Sequence, residues 1–179
     1  MKKIVLTFGL LSGGVLAAMM AITLPLCLNG TLDLSKSQIL GYSTMVLAFL
    51  LVFFGIRSYR ENVAGGTITF GKAFQVGILI ALITCAVYIV AWEIIYFNFI
   101  PDFTDRYAAR VLEEMRASGA SDAALLAEHQ KMEQFKKLYA NIFVNIGMTL
   151  IEVFPVGLIM TLVSAAILRK PMPTAVVAA

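Results

Sequence analysis

The sequence predicts an all-α membrane protein: a four-helix transmembrane bundle with an extramembrane helical hairpin between helices three and four. Three observations carry this. Hydrophobic residues make up 60% of the 179-residue chain and charged residues 14%, whereas a soluble domain keeps about a quarter of its residues charged. The shortfall is uneven, because the apolar runs hold almost no charge and one short stretch holds most of the acids and bases. Each run is also long enough to cross, since about twenty helical residues at ~1.5 Å each cover the ~30 Å of hydrocarbon. A single membrane domain over residues 1–179 is the simplest division of so short a chain.

The first run, residues 4–28, follows Lys2 and Lys3 and contains no charge. A cleaved leader shares that pattern, but its apolar core is only ~7 to 15 residues long. The run therefore reads as an uncleaved helix. Gly9, Gly13 and Ala17 recur every fourth residue, which leaves one side smooth enough for another backbone to approach. The second run, residues 37–56, lies between Asp33 and Lys36 on one side and Arg57, Arg60 and Glu61 on the other. So short a connection from the first run turns the chain back on itself. The third run, residues 73–97, begins after Lys72 and closes past Glu93, and the amphipathic rings of Trp92 and Tyr96 near its end suit a membrane interface. The fourth, residues 141–168, stops at Arg169 and Lys170, and Pro171 and Pro173 bar its continuation. The tail 171–179 reads as flexible.

The polar segment, residues 98–140, opens with Pro101 and Asp102 and is interrupted at Ser118, Gly119 and Ala120. Ser121 then suits an N-cap, and Leu125, Met132, Phe135 and Leu138 return at helical spacing. A hairpin of two short helices follows, its second arm free to continue into the fourth span. Glu133 stands four residues before Lys137, the favourable order for a solvated helical pair.

An even number of spans leaves both termini on one side. Lys2, Lys3, Arg57, Arg60, Lys72, Arg169 and Lys170 gather there, against Lys36 in the opposite short loop, so that side is expected to be cytoplasmic. The basic residues sit at helix ends and form no dense stripe, which argues against nucleic acid as a partner. The lipid bilayer is the partner the composition implies. Gly65-Gly66-Thr67-Ile68-Thr69-Phe70-Gly71-Lys72 precedes the third span. Gly65, Gly66, Phe70, Gly71 and Lys72 fit a tight turn into that helix better than a phosphate cradle, because no strand precedes them and the glycine spacing matches no nucleotide loop.

Gly55-Ile56-Arg57-Ser58-Tyr59-Arg60, the glycine segment through Phe74, Phe99-Ile100-Pro101-Asp102-Phe103, and Glu152 with Pro155-Val156-Gly157 succeed one another in an order that resembles a bacterial membrane family. That family is the domain of unknown function 4199. The resemblance implies a four-helix bacterial inner-membrane protein and carries no catalytic residue with it.

Two acids fall within or beside the apolar runs. Glu93 lies ~30 Å along the third helix and Glu152 ~24 Å from the far end of the fourth, at similar heights. A charge at depth costs at least ~2.5 kcal/mol, so such an acid is expected to face protein rather than lipid. Asn141, Asn145, Thr149 and Glu152 follow one another at intervals that stack them into a polar stripe. These residues form the candidate intramembrane polar site, with Glu152 as its titrating group and Glu93 as its neighbour. The structural alternative makes Glu152 an interhelical hydrogen-bond anchor and lets Glu93 reach the interface.

Enzymes find little support. The one histidine, His129, lies in the polar hairpin, which excludes paired-histidine haem ligation and a membrane zincin motif, and no base is placed to activate Ser12. Cys27 and Cys85 sit in apolar runs without ligand partners, so neither a metal nor any other cofactor is expected. A non-enzymatic membrane or envelope interaction protein using its external hairpin is the leading expectation, its partner a second copy or another membrane or periplasmic protein. The alternatives are a small oligomeric proton- or cation-coupled carrier or channel subunit, and an envelope lipid-modifying enzyme.

Overall fold

The computed structural model describes residues 1–32 and 34–170. Asp33, expected to bound the second run, and the tail 171–179, expected to be flexible, lie outside the described residues. The helices are α1 Lys2–Leu28, α2 Leu34–Asn62, α3 Phe70–Asn98, α4 Phe103–Ala117, α5 Asp122–Tyr139 and α6 Ile142–Leu168. The chain is an all-α membrane protein: α1, α2, α3 and α6 are long and apolar enough to cross a bilayer, and α4 with α5 forms the polar pair between α3 and α6. Within the chain, only 33%, 33%, 28% and 28% of the apolar windows of those spans are buried. The remainder turns Leu10, Ile39, Val90 and Ile151 outward, a surface that lipid solvates and water does not.

The helices outrun the apolar runs. α2 starts at Leu34 rather than Ser37 and continues past Ile56 to Asn62, and α3 starts at Phe70 rather than Ala73. Hydropathy marks where lipid ends, whereas a helix ends where its backbone groups find other partners. The second hairpin arm does not run on into the fourth span. Ala140 and Asn141 break the helix, and Asn141 Oδ1 accepts the backbone N–H of Phe143 at 3.0 Å to start α6.

Contacts fall into two compact units. The first comprises Met1–Leu16, Met45–Tyr88 and α6 from Val153. Phe49, Val52, Ile56, Val76, Ile80 and Val153 are its fully buried apolar core. Gly13 lets α1 and α3 meet closely, because a Cβ there would lie 2.5 Å from the Val87 Cβ. Three of its buried hydroxyls return to backbone carbonyls: Ser12 Oγ donates to Ala48 O at 2.9 Å, Thr84 Oγ1 to Ile80 O at 3.0 Å and Thr161 Oγ1 to Gly157 O at 2.8 Å. Where no water reaches, such internal pairing is the only way to avoid the cost of a bare polar group.

The second unit comprises Ala17–Thr44 and Ile89–Glu152, and so contains the whole hairpin. Ser121 caps α5, its Oγ accepting the N–H of Ala124 at 3.3 Å. Lys136 on α5 pairs with Asp105 on α4, which ties the two arms together. Other ion pairs run along single arms, Arg106 with Asp102 at 2.7 Å and Arg110 with Glu113 at 2.8 Å. Exposed pairs of this kind contribute about 0 to 1 kcal/mol each, so they orient the hairpin more than they hold it.

Candidate functional site

The hairpin is held to the end of α3 by aromatic rings. The Phe103 ring on α4 meets the Trp92 ring edge-on with centroids 5.0 Å apart, and the Tyr139 ring on α5 meets that of Tyr96 at 5.5 Å. Tyr96 also lies 6.2 Å from Phe103, while Tyr107 and Phe135 stack behind the outer members of the group. Edge-to-face pairs add about 0.5 to 1.5 kcal/mol each beyond the area they bury. Each arm of the hairpin thus contributes a ring near its bundle end, Phe103 at the start of α4 and Tyr139 at the close of α5.

Beneath the rings lies a polar cluster. Trp92 Nε1 donates to Asn145 Oδ1 at 2.8 Å, and Thr149 Oγ1 donates to the backbone carbonyl of Asn145 at 3.0 Å. Asn145 is 0% exposed. Because the indole N–H must meet an acceptor, Oδ1 faces Trp92 and Nδ2 points away, where it has no hydrogen-bond partner. Tyr139 is buried beside the same groups, and burial pushes its phenol up to about 12. It therefore stays a neutral hydroxyl at any physiological pH.

The two acids differ in their surroundings. Both carboxylate oxygens of Glu93 are closed to solvent and have no hydrogen-bond partner. Glu152, by contrast, is exposed on the surface of the chain. Glu93 is thus the acid whose carboxylate oxygens are enclosed. No hydrogen bond joins them, although both lie within electrostatic reach of the Tyr139 hydroxyl. The stripe on α6 divides likewise: Asn145 and Thr149 are buried, while Asn141 and Glu152 are exposed. Periodicity fixes the direction a side chain takes from its helix but not what stands opposite it at that height. The rings of Tyr96, Phe103 and Tyr139 were not among the expected site residues. Their aromatic character close to Trp92 and to the hairpin ends was the available signal.

The glycine segment before α3 is a closed turn. Gly65 and Gly66 both take positive φ, 64° and 84°, and Gly66 N–H returns to Arg60 O at 2.8 Å. Ile68 then exchanges two backbone bonds of 2.8 Å with Lys170, just past α6. Phe70, Gly71 and Lys72 form the first turn of α3, where Thr69 Oγ1 accepts the N–H of Lys72 at 3.3 Å. The Lys72 ammonium is occupied by Gln75 Oε1 at 2.8 Å and lies 5.9 Å from the centre of the Tyr59 ring.

Over residues 7–170 the sequence matches the family described as Protein of unknown function (DUF4199). The chain belongs to that family. No match to it was found among curated proteins or solved structures. The DUF4199 match takes in the ring group, the polar cluster beneath it and the glycine turn.

The chain's one tryptophan is Trp92, so its fluorescence reports this cluster directly. Asn145→Leu leaves the buried indole N–H without an acceptor, a cost of about 1 to 3 kcal/mol. The variant is expected to unfold at lower temperature in detergent, with Trp92 emission moved to shorter wavelength. Unchanged emission and unfolding would mean that the bond contributes nothing.

Proposed function

We propose that the protein is a non-enzymatic component of the bacterial inner membrane that docks a partner on the α4–α5 hairpin. The observation that carries this reading is the fixed attachment of the hairpin: Phe103 and Tyr139 bind it to Trp92 and Tyr96. Its outward side keeps Arg116, His129 and the apolar Leu126 exposed. A segment that served only to connect α3 to α6 would need no such anchorage, since loop closure becomes only slowly costlier with length. Arg57, Arg169 and Lys170 stand at the ends of α2 and α6. The positive-inside tendency supports cytoplasmic termini, and a connection that follows three crossings is then periplasmic. The docked partner is a second copy of the chain or a membrane or periplasmic protein.

Photo-crosslinking residues placed at Arg116 and His129 are expected to give one discrete adduct in cells, whereas a crosslinker at lipid-facing Ile151 gives none of that mass. Leu126→Asp is expected to remove the adduct without shifting the unfolding temperature, since substitutions at exposed positions stay within about 0.5 kcal/mol. A hairpin that yields no adduct, or an adduct indifferent to Leu126, would rule out this use of the surface.

A second reading, a proton- or cation-coupled carrier or channel subunit, is favoured by one feature: the unpartnered carboxylate oxygens of Glu93 and the unpartnered Nδ2 of Asn145. A buried unpaired acceptor and a buried unpaired donor within one unit suit a hydrated path. Such a carrier in sealed vesicles with an internal pH indicator would pass protons or a cation at a rate that Glu93→Gln reduces to background. Vesicles that stay tight with the unaltered protein would dispose of this reading.

A further inference from the structure

The cations of the first unit collect where its helices end. Arg57 and Arg60 lie in the last turns of α2, Lys72 in the first turn of α3, and Arg169 and Lys170 directly after α6. Two links draw these ends together. The Ile68 bridge fixes the backbone of Lys170, and Arg60 Nη1 donates to Leu168 O at 3.2 Å, supplying a partner for one of the last carbonyls of α6. Glu61 is the acid among them, and the Arg60 guanidinium holds it at 2.6 Å. Arg57 and Lys170 are both within electrostatic reach of Glu61, so α2 and the segment after α6 bring their charges to one place.

Arg60 and Lys72 are thus engaged within the protein. Arg57, Arg169 and Lys170 are exposed and form no ion pair among the described residues. Apolar surface adjoins them. Phe54 stands one turn before Arg57 and is 49% exposed, and Ile167, two residues before Arg169, is 66% exposed. Arg57 and Lys170 held together, with Arg169 next to Lys170 in the chain, at the margin of an apolar surface match a ligand with an anionic head and a hydrocarbon body.

We propose that this end of the first unit binds the headgroup phosphate of an anionic phospholipid through Arg57, Arg169 and Lys170, with Phe54 and Ile167 against its acyl chains. Guanidinium groups suit the phosphate because their forked donors meet two of its oxygens at once. The lipid is favoured over free phosphate because the apolar contacts lie directly beside the charges. The proposal is independent of any partner of the hairpin.

The test uses the full chain purified in a neutral detergent, titrated with phosphatidylglycerol, phosphatidylcholine or inorganic phosphate while thermal unfolding is followed. Phosphatidylglycerol is expected to raise the unfolding temperature well above the effect of phosphatidylcholine, and inorganic phosphate to leave it unchanged. A juxtamembrane cation contributes about 1 kcal/mol toward an anionic lipid. Arg57→Gln, Arg169→Gln and Lys170→Gln combined should therefore weaken the phosphatidylglycerol response about a hundredfold, to the phosphatidylcholine level. Arg57→Gln and Lys170→Gln alone should each weaken it about fivefold, which keeps the test decisive if the triple variant fails to fold. Equal responses to the two lipids, or variants that keep the full response, would overturn the proposal. A response to inorganic phosphate equal to that for the lipid would overturn the lipid as its source.

Discussion

A polar atom placed where water does not reach must find its partner in the protein, and the second unit is built around one such bond, from Trp92 Nε1 to Asn145 Oδ1. It joins residues 53 positions apart and so fixes α3 against α6 at the level where the hairpin begins and ends. With the indole held in place, its face and edge become a fixed surface on which Phe103 can settle. Tyr96 carries the arrangement on to Tyr139 and thereby to the other arm. The charged surface of α4 and α5 follows from this attachment rather than causing it, because exposed ion pairs are too weak to hold two helices.

The same rule acts differently in the first unit. There the buried groups Ser12, Thr84 and Thr161 are small hydroxyls that close onto backbone carbonyls. Packing through Gly13 and the Phe49 and Ile80 core decides the arrangement there. The second unit keeps polar capacity unused at Glu93 and Asn145. Fully satisfied groups make structure, whereas unsatisfied ones are where a site for a proton, an ion or water belongs.

Much of the fold was legible in the sequence because lipid imposes a coarse requirement, about twenty apolar residues per crossing, that composition alone can meet or fail. The cap at Ser121 and the smooth face at Gly9 and Gly13 were legible for the same reason, being local in the chain. The site was legible only in part. Asn145 and Thr149 lie buried as a polar stripe would place them, and the carboxylate oxygens of Glu93 are enclosed as well. Those assignments depend on which side chains stand opposite, and the bridge from Ile68 to Lys170 depends on backbone ends far apart in sequence. Neither leaves a periodic trace.

The central claim is that the hairpin is a fixed part of the protein, held by the rings that surround Trp92. Hydrogen exchange on the chain reconstituted in lipid, read separately for α4 and α5, measures this directly. Backbone amides in Phe103–Ala117 and Asp122–Tyr139 are expected to be protected in the unaltered protein. That protection should fall in both arms when Phe103→Ala removes the contact with Trp92, while the amides of α1 and α2 keep theirs. Arms that exchange freely in the unaltered protein, or that are indifferent to Phe103, would contradict the account.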